Sequence, residues 1–257
     1  MAAMAVVNFE PCYLLLIMTK SLNKGDLPND WLKANINAIF QKIIISICKG
    51  DRSKATNYRP VSLTCVACKL MEHIIFHHIM EHLNKHNILK DLQHGFRMKR
   101  SCETQLIVTI EQIQRQLDQG KQVDMLILDY SKAFDTVAHE RLLRKLAYYG
   151  IQGDIHIWLK EWLTKRTQRV IMDSYESTET NVQSGVPQGT VLGPLMFLIF
   201  INYMGDNINF ELRLFTDDSL LYRTIETRQD SAQLKLKEDM DKLAEWANRW
   251  QMKFNPQ

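Results

Sequence analysis

The sequence predicts an α+β fold, and three observations predict it. Apolar residues recur at three- and four-residue steps in several long segments, the mark of helices with one buried face. The short strand-like runs between them do not alternate with helices one for one, as repeated βαβ units require. The chain also has material for real cores: 257 residues, 46% hydrophobic and only 24% charged, with few Gly and Pro. That suffices for one large domain or two small ones. No segment is of low complexity, and no internal repeat is present.

The elements follow in order. Residues 9–34 read as helical, broken at Gly25 and Pro28. Residues 36–48 are strongly apolar, with Ile43, Ile44, Ile45 and Ile47 close together, and read as a strand. Asn57-Tyr58-Arg59-Pro60 is extended, because a residue before proline avoids the helical region. From Cys65 to Asn84 a stripe of Cys68, Met71, Ile75, Ile79 and Leu83 predicts a helix. A second helix runs from Gln105 to Gln119 and closes at Gly120. Val123 to Leu128 is a short strand ending at Asp129. Helices over Arg141–Tyr149, capped by Gly150, and around Ile155, Trp158, Leu159 and Trp162 come next. Arg169–Met172 and Glu179–Val182 form a strand pair. The loop from Ser184 to Gly189 leads into an apolar helix over Val191–Ile201. Glu211–Phe215 and Ser219–Arg223 form a hairpin with Asp217-Asp218 at its turn. Leu236, Met240, Leu243, Ala247 and Trp250 mark the last helix.

Charge and cysteine content bound the function only loosely. The net charge of +3 and pI of about 8.5 are too mild to argue for nucleic acid without local clustering. Five cysteines are an odd number for a disulfide framework, so a reducing compartment is expected. The apolar run from Cys12 to Met18 is too short to span a bilayer and lacks the marks of a signal peptide, so no membrane partner is expected. The sequence leaves cytoplasm or nucleus, and the oligomeric state, open.

Three aspartates stand at strand ends or turns: Asp129, Asp217 and Asp218. Two strands of one sheet would bring them together. Clustered carboxylates repel one another and need cations, and a pair of Mg²⁺ ions about 3.5–4 Å apart can activate a hydroxyl and stabilise a leaving pyrophosphate. An Asp pair in a hairpin is also ordinary turn chemistry, so the spacing alone is weak. Cys65-x-x-Cys68 with His73 and His77 offers zinc-type ligands, but four ligands within one predicted helix cannot wrap a tetrahedral ion, and Cys68 lies on the apolar stripe. Zinc is therefore not expected.

Five separate words decide the reading. Asn57-Tyr58-Arg59-Pro60-Val61-Ser62-Leu63 comes first, then Gln93-His94-Gly95-Phe96-Arg97. Asp129-Tyr130-Ser131-Lys132-Ala133-Phe134-Asp135 is the third, and Ser184-Gly185-Val186-Pro187-Gln188-Gly189-Thr190-Val191-Leu192-Gly193-Pro194 the fourth. Phe215-Thr216-Asp217-Asp218 is the fifth, followed by Trp246, Trp250 and Met252-Lys253-Phe254-Asn255. In this order they resemble the motifs of LINE-type (non-long-terminal-repeat) retrotransposon reverse transcriptases, nearest the Jockey-like group, over roughly residues 12–257.

The resemblance implies a right-hand polymerase: fingers within residues 1–122, and a palm over 123–257 with an antiparallel sheet packed on helices. It implies RNA-templated transfer of deoxynucleotides to a DNA primer, with two Mg²⁺ ions and Mn²⁺ as an alternative. Asp129 and Asp217 would bind both metals with Asp218 beside them, and the carbonyl of Tyr130 would be a further ligand. Phe134 would stack under the incoming sugar and exclude a 2′-hydroxyl; a core aromatic role is compatible. Gln188 and Gly189 would line the nucleotide pocket, where glycine admits close backbone approach. Arg59 would reach the triphosphate, since a planar guanidinium suits phosphate oxygens; otherwise it is a surface charge. Arg97, Lys99 and Arg100 form a basic patch for template or primer, with Lys165, Arg166 and Arg169 as further candidates or plain surface charges.

Departures from the family pattern accompany the match. Residues 43–48 read as a short insertion, which leaves open whether Lys42 or Lys49 faces the phosphates. Tyr203 stands where the family has Asp, and Thr216 where Ala is common. The match stops at Gln257 before any thumb, so a thumb is expected to be absent and processivity low. Two other readings stand beside the polymerase: a catalytically weak or inactive nucleic-acid-binding remnant, and a structural domain that neither catalyses nor binds.

Overall fold

The computed structural model describes residues 11–40, 54, 58–172, 175–225 and 232–255. The expected insertion at 43–48, with Lys42 and Lys49, lies outside these residues. The chain divides into two compact units, and the division falls inside two helices. The first unit comprises residues up to Ile79, Leu146–Gln183 and Gln188–Val191; the second comprises Met80–Lys145, Ser184–Pro187 and Leu192 onward.

The first unit contains α1 (Pro11–Lys24), α2 (Asn29–Leu32), β1 (Lys33–Phe40), β2 (Tyr58–Leu63) and most of α3 (Val66–Lys85). It also holds α6 (Gly153–Thr164), β4 (Thr167–Met172), β5 (Tyr175–Glu176) and β6 (Thr180–Asn181). Gly25 ends α1 at φ +62°, as its position in the sequence suggests. Strand β1 begins earlier than its apolar run, at Lys33, because it is paired on both sides: antiparallel to β2 and parallel to β4. The parallel pairing joins residues 134 positions apart, Asn35 and Arg169, whose side chains also bond at 2.9 Å. The expected strand pair exists as β4 with β6, and β4 takes β5 as well. Packed on α1, α6 buries Trp158, Leu159, Trp162 and Leu163, and the Trp158 indole donates to Ser21 Oγ at 3.1 Å.

The second unit contains α4 (Cys102–Asp118), β3 (Gln122–Leu128), most of α5 (His139–Tyr148), α7 (Leu192–Ile201), β7 (Glu211–Phe215), β8 (Asp218–Ile225) and α8 (Ala232–Trp250). Its sheet is antiparallel throughout, in the order β3-β8-β7. Ser101 caps α4, accepting the Thr104 N–H while Thr104 Oγ1 accepts the Ser101 N–H. Helix α7 is apolar on every side and buried from Leu192 to Ile201 apart from Pro194, as a core helix must be.

Lys145 lies in this core, 3% exposed. It donates to the Phe200 carbonyl, and its ammonium sits 3.8 Å from the Trp250 ring centre and 4.9 Å from that of Tyr203. The departure at Tyr203 thus sets an aromatic face beside a buried cation where the family's Asp would be a carboxylate. Burial pulls the amine down to about 7.

Two expectations change in detail. The turn of the β7–β8 hairpin is Thr216-Asp217, since Asp218 already pairs with Phe215 and opens β8. Arg166 is not a surface charge: it is 2% exposed, with its guanidinium 5.3 Å from the Trp162 ring centre. Cys68 is fully buried and donates to Glu72, His73 and His77 face outward, and no three metal-ligating side chains converge among the described residues. No helix among them is long and apolar enough to cross a membrane.

Candidate active site

The β3–β8 register places the carboxylates. Leu128 pairs with Ser219 as the last pair of the register, so Asp129 and Asp218, which adjoin that pair, lie at the same end of the sheet. Asp217 precedes Asp218 in the turn, so all three aspartates occupy one end of one sheet. Asp129 and Asp217 are half-buried and Asp218 is exposed.

Asp129 is held by the segment after α8. Asn255 N–H donates to the Asp129 carbonyl at 2.9 Å, and Asn255 Nδ2 donates to Asp129 Oδ2 at 3.2 Å. Ser131 N–H donates to the Lys253 carbonyl at 2.9 Å, and the Tyr130 and Phe254 rings stack with centres 4.6 Å apart. The Tyr130 ring is buried and its hydroxyl donates to Met204 Sδ at 2.8 Å, while burial raises the phenol's pKa. Only the backbone of Tyr130 is therefore suited to a ligand role. The sequence named Lys253-Phe254-Asn255 as a motif but showed no reason for it; the reason is pairing across 126 positions.

Thr216, ahead of the two aspartates, carries φ +60°, which a β-branched residue adopts only under constraint. Gln93, 5% exposed, supplies the constraint. Its Nε2 donates to the Thr216 carbonyl at 3.1 Å, and its Oε1 accepts the N–H groups of Thr216 at 2.9 Å and Gly95 at 2.7 Å. Gly95 must be glycine, because a Cβ there would lie 2.5 Å from Thr216 N. The motif around Gln93 thus shapes the turn that carries Asp217, a role sequence reasoning missed.

Phe134 stacks on Phe197 with centres 4.4 Å apart and meets Phe96 edge-on at 6.5 Å. The loop from Ser184 to Pro187 zips onto its turn: Val186 N–H donates to the Phe134 carbonyl at 2.8 Å, and Gly185 N–H to that of Val137 at 2.8 Å. Gly185, at φ +91°, lies so close to Asp135 that a Cβ would come within 2.8 Å of its backbone. In the basic patch, Arg97 donates to the Lys90 carbonyl at 3.0 Å and Arg100 pairs with Asp91 at 2.5 Å, while Lys99 is exposed. Burial lowers the Arg97 pKa, with Arg100 acting the same way.

The first unit carries the remaining residues. Ser62 N–H donates to the Gln188 carbonyl at 2.8 Å. Gly189, exposed and at φ +88°, lies against β2, where a Cβ would sit 3.0 Å from the Ser62 carbonyl oxygen. Arg59 is exposed on the same strand. Arg169 bonds to Asn35 and, at 2.5 Å, to Glu176; Lys165 pairs with Glu161.

Residues 47–257 match the model of the reverse transcriptase (RNA-dependent DNA polymerase) family. The chain belongs to this family. Among the relatives of this reverse transcriptase chain, a probable RNA-directed DNA polymerase from transposon BS of Drosophila melanogaster is 30% identical over 259 residues, covering 95% of this chain and 27% of the relative. The RNA-directed DNA polymerase from mobile element jockey of the same species is 27% identical over 254 residues, covering 95% and 26%. These relatives bear out the Jockey-like resemblance, and the chain spans about a quarter of their length. Among solved structures, telomerase from Candida tropicalis bound to a fragment of telomeric RNA superposes with a TM-score of 0.58 at 11% identity, over 95% of this chain and 44% of that one. The apo form of that telomerase gives 0.60 at 10% identity, over 95% and 48%. At such identity the likeness shows the fold alone: a mixed α/β polymerase fold.

Reverse transcriptases use divalent metal ions, and the donors at this sheet end suit a hard one, being carboxylate and carbonyl oxygens without Cys or His. Among the described residues no group of three such side chains is placed to hold a metal ion.

Proposed function

We propose that this chain is the fingers-and-palm part of a LINE-type RNA-directed DNA polymerase, with fingers within residues 1–122 and the palm over 123–257. The single observation that carries the reading is the strand register that brings Asp129 and Asp218 to the same end of one sheet, with Asp217 in the adjoining turn. It joins two motifs some ninety residues apart at one end of one sheet, as a shared metal site requires.

The reaction is attack of a DNA primer 3′-hydroxyl on the α-phosphorus of a deoxynucleoside triphosphate, directed by an RNA template, with pyrophosphate leaving. Asp129, Asp217 and the Tyr130 carbonyl would hold two Mg²⁺ ions, with Asp218 beside them; when bound, these ions supply activation of the hydroxyl and charge neutralisation at the leaving group. The protein's own part is positioning. Phe134, stiffened by its stack on Phe197, forms a floor that a deoxyribose can lie on and a 2′-hydroxyl would strike. The family resemblance implies that Gln188 and Gly189 would line the nucleotide pocket and that Arg59, which is exposed, would meet the triphosphate. Lys99, and Arg97 and Arg100 from their anchored positions, meet the template or primer backbone; the pair of Arg100 with exposed Asp91 is weak enough to yield to a phosphate.

Single-nucleotide primer extension tests this, with an RNA template, a DNA primer and Mg²⁺. The native chain should incorporate and the Asp217→Ala, Asp218→Ala double variant should not. Salt-sensitive hybrid binding without incorporation by folded native protein would replace the polymerase by the nucleic-acid-binding remnant.

A further inference from the structure

The first unit buries a polar cluster that the proposed reaction does not use. Glu72 on α3 is fully buried. Its Oε2 accepts the backbone N–H of Val191 at 2.7 Å, and its Oε1 accepts the Cys68 thiol at 3.4 Å. Cys68 is held as a thiol, because burial and then the Glu72 charge raise its pKa. Arg166 is also buried, and its charge acts on both groups. Burial lowers its pKa, and Glu72 is the strongest influence opposing that. A buried carboxylate or guanidinium is costly unless compensated, so two in one core call for an explanation beyond packing.

The explanation lies at Val191. The stretch Gln188–Val191 is tied to this unit at both ends. At one end the Gln188 carbonyl accepts the Ser62 N–H at 2.8 Å, and Gly189 lies on the Ser62 backbone. At the other the Val191 N–H meets Glu72 at 2.7 Å. A backbone N–H on a carboxylate is a charge-assisted bond, shorter and stronger than a neutral one. An apolar side chain at position 72 would leave that N–H without this acceptor.

We propose that Glu72 is a positioning residue for the nucleotide pocket: its carboxylate fixes the Gln188–Val191 backbone. Gln188 and Gly189 then meet the nucleotide in one conformation. The inference rests on the reading of these two residues as nucleotide contacts. Glu72 itself touches no substrate and acts through the loop.

Three variants test it. Glu72→Gln keeps an acceptor for Val191. The double variant Glu72→Leu, Arg166→Met removes the acceptor together with both buried charges, a replacement that proteins commonly tolerate. Val191→Pro deletes the donated N–H and leaves both charges in place, so it serves if the double variant does not fold. Hydrogen exchange is read at residues 188–191 without ligand, and single-nucleotide incorporation gives KM and kcat beside the affinity for an RNA–DNA hybrid. The double variant should exchange at Val191 at least about tenfold faster, a loosening on the scale of one lost charged hydrogen bond. Its KM for the nucleotide should rise about fivefold or more, with kcat and hybrid affinity within about twofold, since only nucleotide positioning is disturbed. Val191→Pro should raise KM in the same way, and Glu72→Gln, which keeps the acceptor but loses the charge assistance, should fall between the native and double-variant values. Native exchange in the double variant, or faster exchange with an unchanged KM, would overturn the proposal. If the native chain incorporates nothing, the polymerase reading falls separately, and exchange at Val191 still decides whether Glu72 holds the loop.

Discussion

Replacing Gln93 by Ala should damage both the stability of the second unit and the placement of Asp217. The substitution removes three hydrogen bonds, two to Thr216 and one to Gly95. A typical protein hydrogen bond contributes about 1 kcal/mol net, and a backbone group left buried without a partner costs about 1–3 kcal/mol. Gly95 is buried and Thr216 half-buried, so water replaces only part of what is lost. Gln93 also holds Thr216 at φ +60°, a conformation costing roughly 1–2 kcal/mol for an L-residue. Once released, the turn relaxes, which returns some of that energy and moves the aspartates. The net loss should be roughly 2–4 kcal/mol. Urea unfolding of native and variant protein, followed by intrinsic fluorescence, measures it. The rate of single-nucleotide incorporation should fall about 100-fold, the scale of an ångström misplacement of a catalytic group. Adding Thr216→Gly, which makes a positive φ inexpensive, should recover about 1 kcal/mol in the Gln93→Ala background. A loss below about 0.5 kcal/mol with an unchanged rate would refute the idea that this side chain shapes the turn.

Three further outcomes follow from the same geometry. Mg²⁺ should raise the melting temperature of the native chain, by about 2.7 kcal/mol of stability at a hundredfold excess over Kd, and Asp129→Ala should abolish the effect; equal stabilisation of both proteins would place the ion elsewhere. Lys145 has its folded pKa lowered to about 7, so between there and its unfolded value the unfolded chain binds the extra proton. Native stability relative to Lys145→Met should therefore climb as pH rises from 7 toward 10, by up to about 1.4 kcal/mol per unit, and a pH-independent difference in unfolding free energy would show that the aromatic faces hold the amine charged throughout. Gly189→Ala forces an alanine to φ +88° with its Cβ 3.0 Å from the Ser62 oxygen, so steady-state kinetics should show a raised KM for the nucleotide, and an unchanged KM would remove Gly189 from the pocket.

The sequence by itself determined the elements and the family. Helical stripes such as Cys68, Met71, Ile75, Ile79 and Leu83 are local, since a period near 3.6 is set by the backbone alone, and the structure buries that whole stripe. The motif words likewise identified a reverse transcriptase, because their order is linear information. Tertiary structure decided what those words do. The parallel pairing of β1 with β4 joins strands that share no local signal, and it drew the start of β1 back to Lys33. Arg166 read as a phosphate contact or a surface charge because a basic run carries no record of burial; the structure buries it, with its guanidinium 5.3 Å from the Trp162 ring centre. Gln93 and Asn255 were visible as motif letters, yet their purpose is a hydrogen bond to a residue 123 or 126 positions away. Such a bond depends on distance in space, and distance in space is settled when the strands pair and bring Asp129 and Asp218 to one end of the sheet.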